Sequence, residues 1–254
     1  MQNTIKRGGA AWRELFFDND VDTFMGPGNS FDSLSYKGDL SAILDDGRPK
    51  ILITGSRTLT DYGREMTARI VRTLSENPWK PVIVTGLAIG ADTSAVKAAL
   101  NMGLSCVALL PNGIDTIYPY CNRSLAEELA STPGCALLTQ FPEQTAPLAQ
   151  NFILRTKTMA MLSDIAVIAE SKIEGSAMIA AKLMDQRNRR VFAVPGRLGD
   201  PYSAGCNRLI ESKLAEIYTD GYTEKLLREL NVLRKSSEYF YGKCVREPTA
   251  LAMG

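Results

Sequence analysis

The 254-residue sequence contains no histidine. That absence removes the commonest general base at neutral pH, the Ser–His and Cys–His nucleophile pairs, and every histidine-containing metal site. Cysteine is sparse: Cys106, Cys121, Cys135, Cys206 and Cys244 are far apart and form no C-x-x-C pair. Such usage fits a reduced, cytoplasmic compartment in which thiols act as small core residues. No apolar run approaches the roughly 18 residues of a membrane helix, and no signal-peptide segment opens the chain, so a soluble protein without a membrane partner is expected. Charge of either sign is not in excess. Twenty-nine Lys and Arg against 28 Asp and Glu give a formal +1, so any nucleic-acid surface must come from local clustering. Two nucleotide-binding signatures are also missing: no Gly-Lys-Ser/Thr completes a P-loop, and no G-x-G-x-x-G dinucleotide fingerprint occurs. Neither a fixed-period repeat nor a low-complexity segment is present.

What remains is the composition of a globular protein, with 45% hydrophobic and 22% charged residues. From Lys50 onward, short apolar runs alternate with longer amphipathic stretches. The runs are Ile51-Leu52-Ile53-Thr54, Val82-Ile83-Val84-Thr85, Cys106-Val107-Ala108-Leu109-Leu110, Ala136-Leu137-Leu138-Thr139, Ile165-Ala166-Val167-Ile168-Ala169 and Val191-Phe192-Ala193-Val194. Continuous apolar runs of this length read as buried parallel strands. Helical spacing occupies 62–76, 92–102, 122–131 and 176–187, with Met66, Ile70, Val71 and Leu74 on one face of the first. Alternation of strand and crossover helix predicts an α/β fold, an extended Rossmann-like, doubly wound, mostly parallel sheet. Three segments are expected: a lead-in over 1–49 with scattered aromatics and weak periodicity, a core domain over 50–220, and a C-terminal helix (about 223–235) and tail over 221–254.

In such a sheet the ligand crevice lies beyond the carboxyl ends of the strands. The first run ends in Gly55-Ser56-Arg57, the second in Gly86-Leu87-Ala88-Ile89-Gly90-Ala91-Asp92 and the third in Pro111-Asn112-Gly113. The fifth leads through Glu170 to Glu174-Gly175-Ser176. Glycines let backbone amides close on an anion, and a following helix N-terminus adds positive potential, so several such turns on one rim suggest phosphates. Taken singly, Gly86 and Gly90 read equally well as plain strand-to-helix turns, with Asp92 as an N-cap. Arg57 directs a planar fork at the crevice. Tyr118, Pro119, Tyr120, Cys121, Asn122 and Arg123 set aromatic faces beside a cation, the pattern used for single-stranded nucleic acid. Arg155 and Lys157 add two cations near a helix start, which on spacing alone also describes a solvated helix face.

Seven segments in register resemble the DprA (Smf) family, the DNA-processing proteins of bacterial transformation. They are residues 51–57, 86–95, 112–119 with Asn122, Asn151-Phe152 with Arg155 and Lys157, Gly175-Ser176, 191–196 and 205–210. The resemblance implies a Rossmann-like core that binds single-stranded DNA, forms a homodimer and helps load a RecA-type recombinase, with no cofactor and no established catalytic reaction. It also implies site residues: Arg57 as the phosphate-binding arginine, Gly55, Ser56, Gly86, Gly90, Gly175 and Ser176 as anion-pocket turns, Arg155 and Lys157 as the Arg-x-Arg pair, and Arg123 close to a DNA-contacting lysine. Asn112, Gly113, Tyr118 and Asn122 complete the expected DNA- and phosphate-binding set. Ile89 and Val96 depart from the pattern, standing where a basic residue and a histidine are usual. The family's helical and winged-helix modules are expected to be absent or reduced. The rival readings are a phosphoribohydrolase-like enzyme with Glu170 as its acid or base, a sensor of small nucleotides, and a purely structural partner protein.

Overall fold

The computed structural model describes residues 2–16, 18–45 and 48–219, together with positions 226 and 228. Apart from those two positions, the helix expected over 223–235 and the tail beyond it lie outside the described residues. In chain order the elements are β1 (Asn3–Lys6), α1 (Ala10–Leu15), α2 (Asp18–Met25), β2 (Ser33–Gly38), α3 (Ser41–Leu44), β3 (Lys50–Thr54), α4 (Asp61–Ser75), β4 (Val82–Thr85) and α5 (Ala91–Asn101). There follow β5 (Cys106–Leu109), a short 3-10 turn (Tyr120–Asn122), α6 (Arg123–Ser131), β6 (Ala136–Thr139), α7 (Ala149–Leu162), β7 (Ile165–Ile168), α8 (Ser176–Gln186), β8 (Arg190–Ala193), α9 (Ala204–Glu211) and β9 (Glu216–Ile217).

All six apolar runs form strands, and each is buried on both faces. Along β3, Leu52 joins the apolar layer that includes α1, α7 and α8, whereas Ile51 and Ile53 join the layer under α4, α5 and α6. A strand covered by helices on both sides has no polar face, so the period of two leaves no alternation in its sequence. The helix α4 begins where the Thr60 hydroxyl accepts from the Gly63 amide at 3.1 Å, and it buries Ile70, Val71 and Leu74.

Among the described residues the strands form one sheet in the order β1-β2-β6-β5-β4-β3-β7-β8-β9. From β3 to β9 the pairings are parallel, while β2 runs antiparallel to both β6 and β1. The two N-terminal strands have no counterpart in the sequence reading. Beside them, Trp12, Phe16 and Phe31 pack with ring centroids 5.0–5.8 Å apart, so the aromatics before Lys50 have a core to fill.

The strand order fixes the crevice. From β3 the chain winds outward through β4 and β5 to β6. The helix α7 then carries it back across, and β7 pairs with β3 on the opposite side. At this reversal the connections after β3 and β7 diverge to opposite faces of the sheet and leave an opening between them, the place where open α/β sheets bind ligands.

Candidate functional site

The corner after β3 is tied down by its own backbone. The Ser56 amide donates to the Glu170 carbonyl at 2.7 Å, joining the ends of β3 and β7, and the Ser56 hydroxyl accepts from the Thr58 amide at 3.1 Å. Held this way, Gly55, Ser56, Arg57 and Thr58 form one wall of a cleft of about 400 Å³, with Lys172, Glu174, Gly175 and Ser176 opposite. Gly175 is the N-cap of α8, so the positive end of that helix lies at the cleft. Two cations and a helix N-terminus against the single carboxylate of Glu174 favour an anion. Thus Gly55, Ser56, Arg57, Gly175 and Ser176, separated by 120 residues, come together because β3 and β7 are neighbours.

Arg57 is exposed, and its guanidinium stands 5.1 Å from the centroid of the Phe152 ring. Among the described residues no carboxylate lies within ion-pairing distance of it. On the same ring Arg155 stands at 5.5 Å, and Tyr118 meets it edge to face at 5.7 Å. Phe152 and Arg155 are three residues apart on α7 and so share a face. Tyr118 and Ile89 keep 40% and 45% of their surface exposed, leaving an aromatic and apolar shelf beside the anion cleft. The sequence reading did not single out Phe152, Ile89 or Lys172 as site residues. For Phe152 a signal existed, its i,i+3 spacing to Arg155.

The second glycine turn has a different duty from the one expected. Asp92 is buried and accepts from the Thr54 hydroxyl at 2.8 Å and from the Gly86 and Ala88 amides at 3.2 and 3.3 Å. The Ala91 amide donates to the Ser56 carbonyl. Those amides are therefore committed within the protein rather than open to an anion. Burial pushes the Asp92 carboxyl up, against the opposing pull of Arg155 and of these hydrogen bonds. Gly86 lets the Arg155 guanidinium pack against the turn, since a Cβ there would lie 2.6 Å from Cζ. Gly90 has φ +84°, and a Cβ on it would lie 2.2 Å from the Ser56 carbonyl oxygen. Both glycines serve close packing that positions the Ser56–Arg57 corner.

Other expected site residues are not brought to the crevice surface. Asn122 is buried and donates to the Leu87 carbonyl and the Thr93 hydroxyl at 2.9 and 2.8 Å, bracing the 86–90 turn. Asn112 is likewise buried, with Nδ2 donating to the Gly113 and Thr116 carbonyls, and the Gly113 amide donates to Thr145. Arg123 is exposed but pairs with Glu127 at 2.9 Å beside a separate cleft that Lys37 and Asp115 also line. Lys157 faces away from Arg155, because two residues on a helix lie about 200° apart. Its ammonium donates to the Phe24 and Met25 carbonyls at the end of α2. Glu170, a candidate acid or base by sequence, is buried and accepts from the Thr60 amide at 2.9 Å and from its hydroxyl. It fastens the start of α4. Among the described residues no cluster of three or more acidic or cysteine side chains could hold a metal, and no helix is long and apolar enough to cross a membrane.

Comparison with known proteins places this geometry in a family. Residues 29–231 match the family model of DNA recombination-mediator protein A. The chain belongs to that family. It is 32% identical to DNA processing protein DprA of Bacillus subtilis over 196 residues, 77% of this chain and 64% of the relative. With the Streptococcus pneumoniae DprA it shares 32% identity over 188 residues, 74% of this chain and again 64% of the relative. The chain thus spans about 64% of the length of these DprA proteins. Among solved structures, DNA processing protein A from Helicobacter pylori, described for its single-stranded DNA binding mode, superposes with TM-score 0.74. That pair is 26% identical over 90% of this chain and 97% of the other. The S. pneumoniae DprA structure gives 0.69 at 30% identity, covering 78% of this chain and 69% of that one. A molybdenum cofactor binding protein from Rippkaea orientalis, at 13% identity and TM-score 0.51, shares the fold alone. The DprA proteins are therefore the relatives against which the crevice is to be understood.

Proposed function

We propose that the protein binds single-stranded DNA across the carboxyl ends of β3 and β7. Phosphates sit in the cleft between the Gly55–Ser56–Arg57 corner and the α8 N-terminus at Gly175 and Ser176, held by Arg57, Lys172 and the positive end of α8. Bases lean on the neighbouring shelf of Phe152, Tyr118 and Ile89. The observation that carries this reading is Arg57, an exposed guanidinium placed on Phe152 at the junction of the anion cleft and the aromatic shelf. A guanidinium stacked by one face on the ring keeps its edge N–H groups directed outward for a phosphate. The single-stranded DNA binding of the H. pylori relative supports the same assignment.

As in the family it resembles, the protein is proposed to act in DNA processing during transformation, to help load a RecA-type recombinase onto the bound strand, and to work as a homodimer in the cytoplasm without a cofactor or catalytic step. Two grooves held side by side would raise affinity through effective concentration. The test is a titration of oligonucleotides of increasing length, single-stranded and duplex, at two salt concentrations. Affinity should rise with single-strand length and fall steeply with salt. Tighter binding of a mononucleotide than of any strand would favour a nucleotide sensor instead, and release of free base from a nucleoside monophosphate would favour the hydrolase. Sedimentation at working concentration tests the dimer, and co-purification of recombinase on strands coated with the protein tests loading.

A further inference from the structure

Arg57 belongs to a segment, residues 56–60, that lies between β3 and α4 and has no regular structure of its own. Both ends of it are fastened to one residue. At the start the Ser56 amide donates to the Glu170 carbonyl at 2.7 Å, and at the end the Thr60 amide donates to the Glu170 carboxylate at 2.9 Å, joined there by the Thr60 hydroxyl. That hydroxyl accepts from the Gly63 amide, so its single proton is committed to Glu170 and both carboxylate oxygens are used. The fit is close: a Cβ on Gly63 would lie 2.8 Å from the Glu170 Cδ.

Glu170 keeps 2% of its surface and, among the described residues, no cation pairs with it. Burying a carboxylate without a counter-ion is costly, and the amide, the hydroxyl and the positive end of α4 are what offset that cost. Capping α4 does not require the carboxylate, because the Thr60 hydroxyl already satisfies the Gly63 amide. Nor does Glu170 line the anion cleft or the aromatic shelf. What its carboxylate adds is a fixed second anchor for the span that carries Arg57, which would otherwise be held to the sheet only through Ser56.

We propose that Glu170 is a positioning residue for strand binding: its carboxylate holds residues 56–60 so that the Arg57 guanidinium stands over the Phe152 ring and faces the cleft before DNA arrives. The proposal rests on the strand-binding reading above. Removing the carboxylate lowers affinity by way of Arg57, since Glu170 itself touches no part of the strand. A residue with a merely structural role would lower affinity with or without Arg57.

The test is a double-mutant cycle of Glu170→Gln and Arg57→Ala on affinity for a labelled oligothymidylate, with thermal unfolding confirming that each variant is folded. Glutamine keeps the shape of the side chain but sets an amide donor against one of the two Thr60 donors. In the wild-type background Glu170→Gln should weaken binding roughly fivefold and flatten the salt dependence, whereas on Arg57→Ala it should change affinity by less than about twofold. If Glu170→Gln does not fold, Thr60→Val, which removes one of the two donors, takes its place in the cycle. Equal losses in the two backgrounds, or no loss in the wild type, overturn this inference and leave DNA binding standing. Wild-type protein that binds no strand, or an Arg57→Ala variant that binds as tightly as wild type, overturns the reading on which it rests.

Discussion

Replacing Arg57 by alanine removes one exposed guanidinium and little else, because the side chain makes no ion pair with a carboxylate among the described residues and rests on the Phe152 ring. A hydrogen bond to a charged group contributes about 1.5–3 kcal/mol. Solvent reaches this side chain, so the lower end applies, about 1.5 kcal/mol or roughly a tenfold loss of affinity. The cation–π contact, about 0.5–1 kcal/mol at an exposed site, already exists in the free protein and adds to the difference only by as much as it changes on binding. One phosphate contact also carries a signature in salt: the slope of log affinity against log salt should become shallower by about 0.7 for a single strand. Fluorescence anisotropy with a labelled oligothymidylate at four salt concentrations measures both quantities. Arg57→Lys separates charge from shape, since the ammonium restores the salt slope but not the planar two-point contact, leaving affinity a few-fold low. An Arg57→Ala variant whose slope matches the wild type would refute the reasoning even if its affinity fell, because the arginine would then be acting without touching a phosphate.

Gly90→Ala forces a side chain into φ +84° and onto the Ser56 carbonyl, so calorimetry should show a loss of about 3 kcal/mol or more. Lys157→Ala should leave DNA affinity unchanged, as its ammonium caps α2 rather than facing the crevice; a stability loss of about 1 kcal/mol is expected, and a clear drop in affinity would show the assignment to be mistaken. The hydrogen bonds from Arg7 hold the Asp22 carboxyl at about 2. A depressed carboxyl pKa contributes stability above its unfolded value near 4 and loses it as pH falls toward 2, so carbon NMR titration should place the midpoint near 2, and Arg7→Ala should raise it toward the unfolded value, with the Ser30 hydrogen bond retaining part of the depression.

The parallel sheet was legible because strands buried on both faces leave runs such as Ile51-Leu52-Ile53, which nothing but a covered sheet explains well. The strands β1 and β2 were not, because Asn-Thr-Ile-Lys and Ser-Leu-Ser-Tyr-Lys-Gly lie at a half-exposed edge, where one apolar face is short and the signal thin. Within the site, the chemistry of Gly-Ser-Arg and Gly-Ser could be read locally, whereas their meeting could not: it depends on β7 returning to pair with β3, a property of the topology. The 86–92 turn misled because glycines required for tight packing look the same in sequence as glycines that cradle an anion. Only the carboxylate of Asp92 on the Gly86 and Ala88 amides separates the two. Spacing alone could have divided the α7 cations, since Arg155 pairs with Phe152 at i,i+3 and a residue two positions on must face elsewhere.

The most direct test of the central claim is hydrogen–deuterium exchange of the protein with and without a saturating oligothymidylate. The account predicts slowed exchange at residues 55–58 and 172–176 together, with a smaller effect around Tyr118 and Phe152. Protection confined to the cleft between Lys37 and Arg123, with the corner after β3 unchanged, would contradict it.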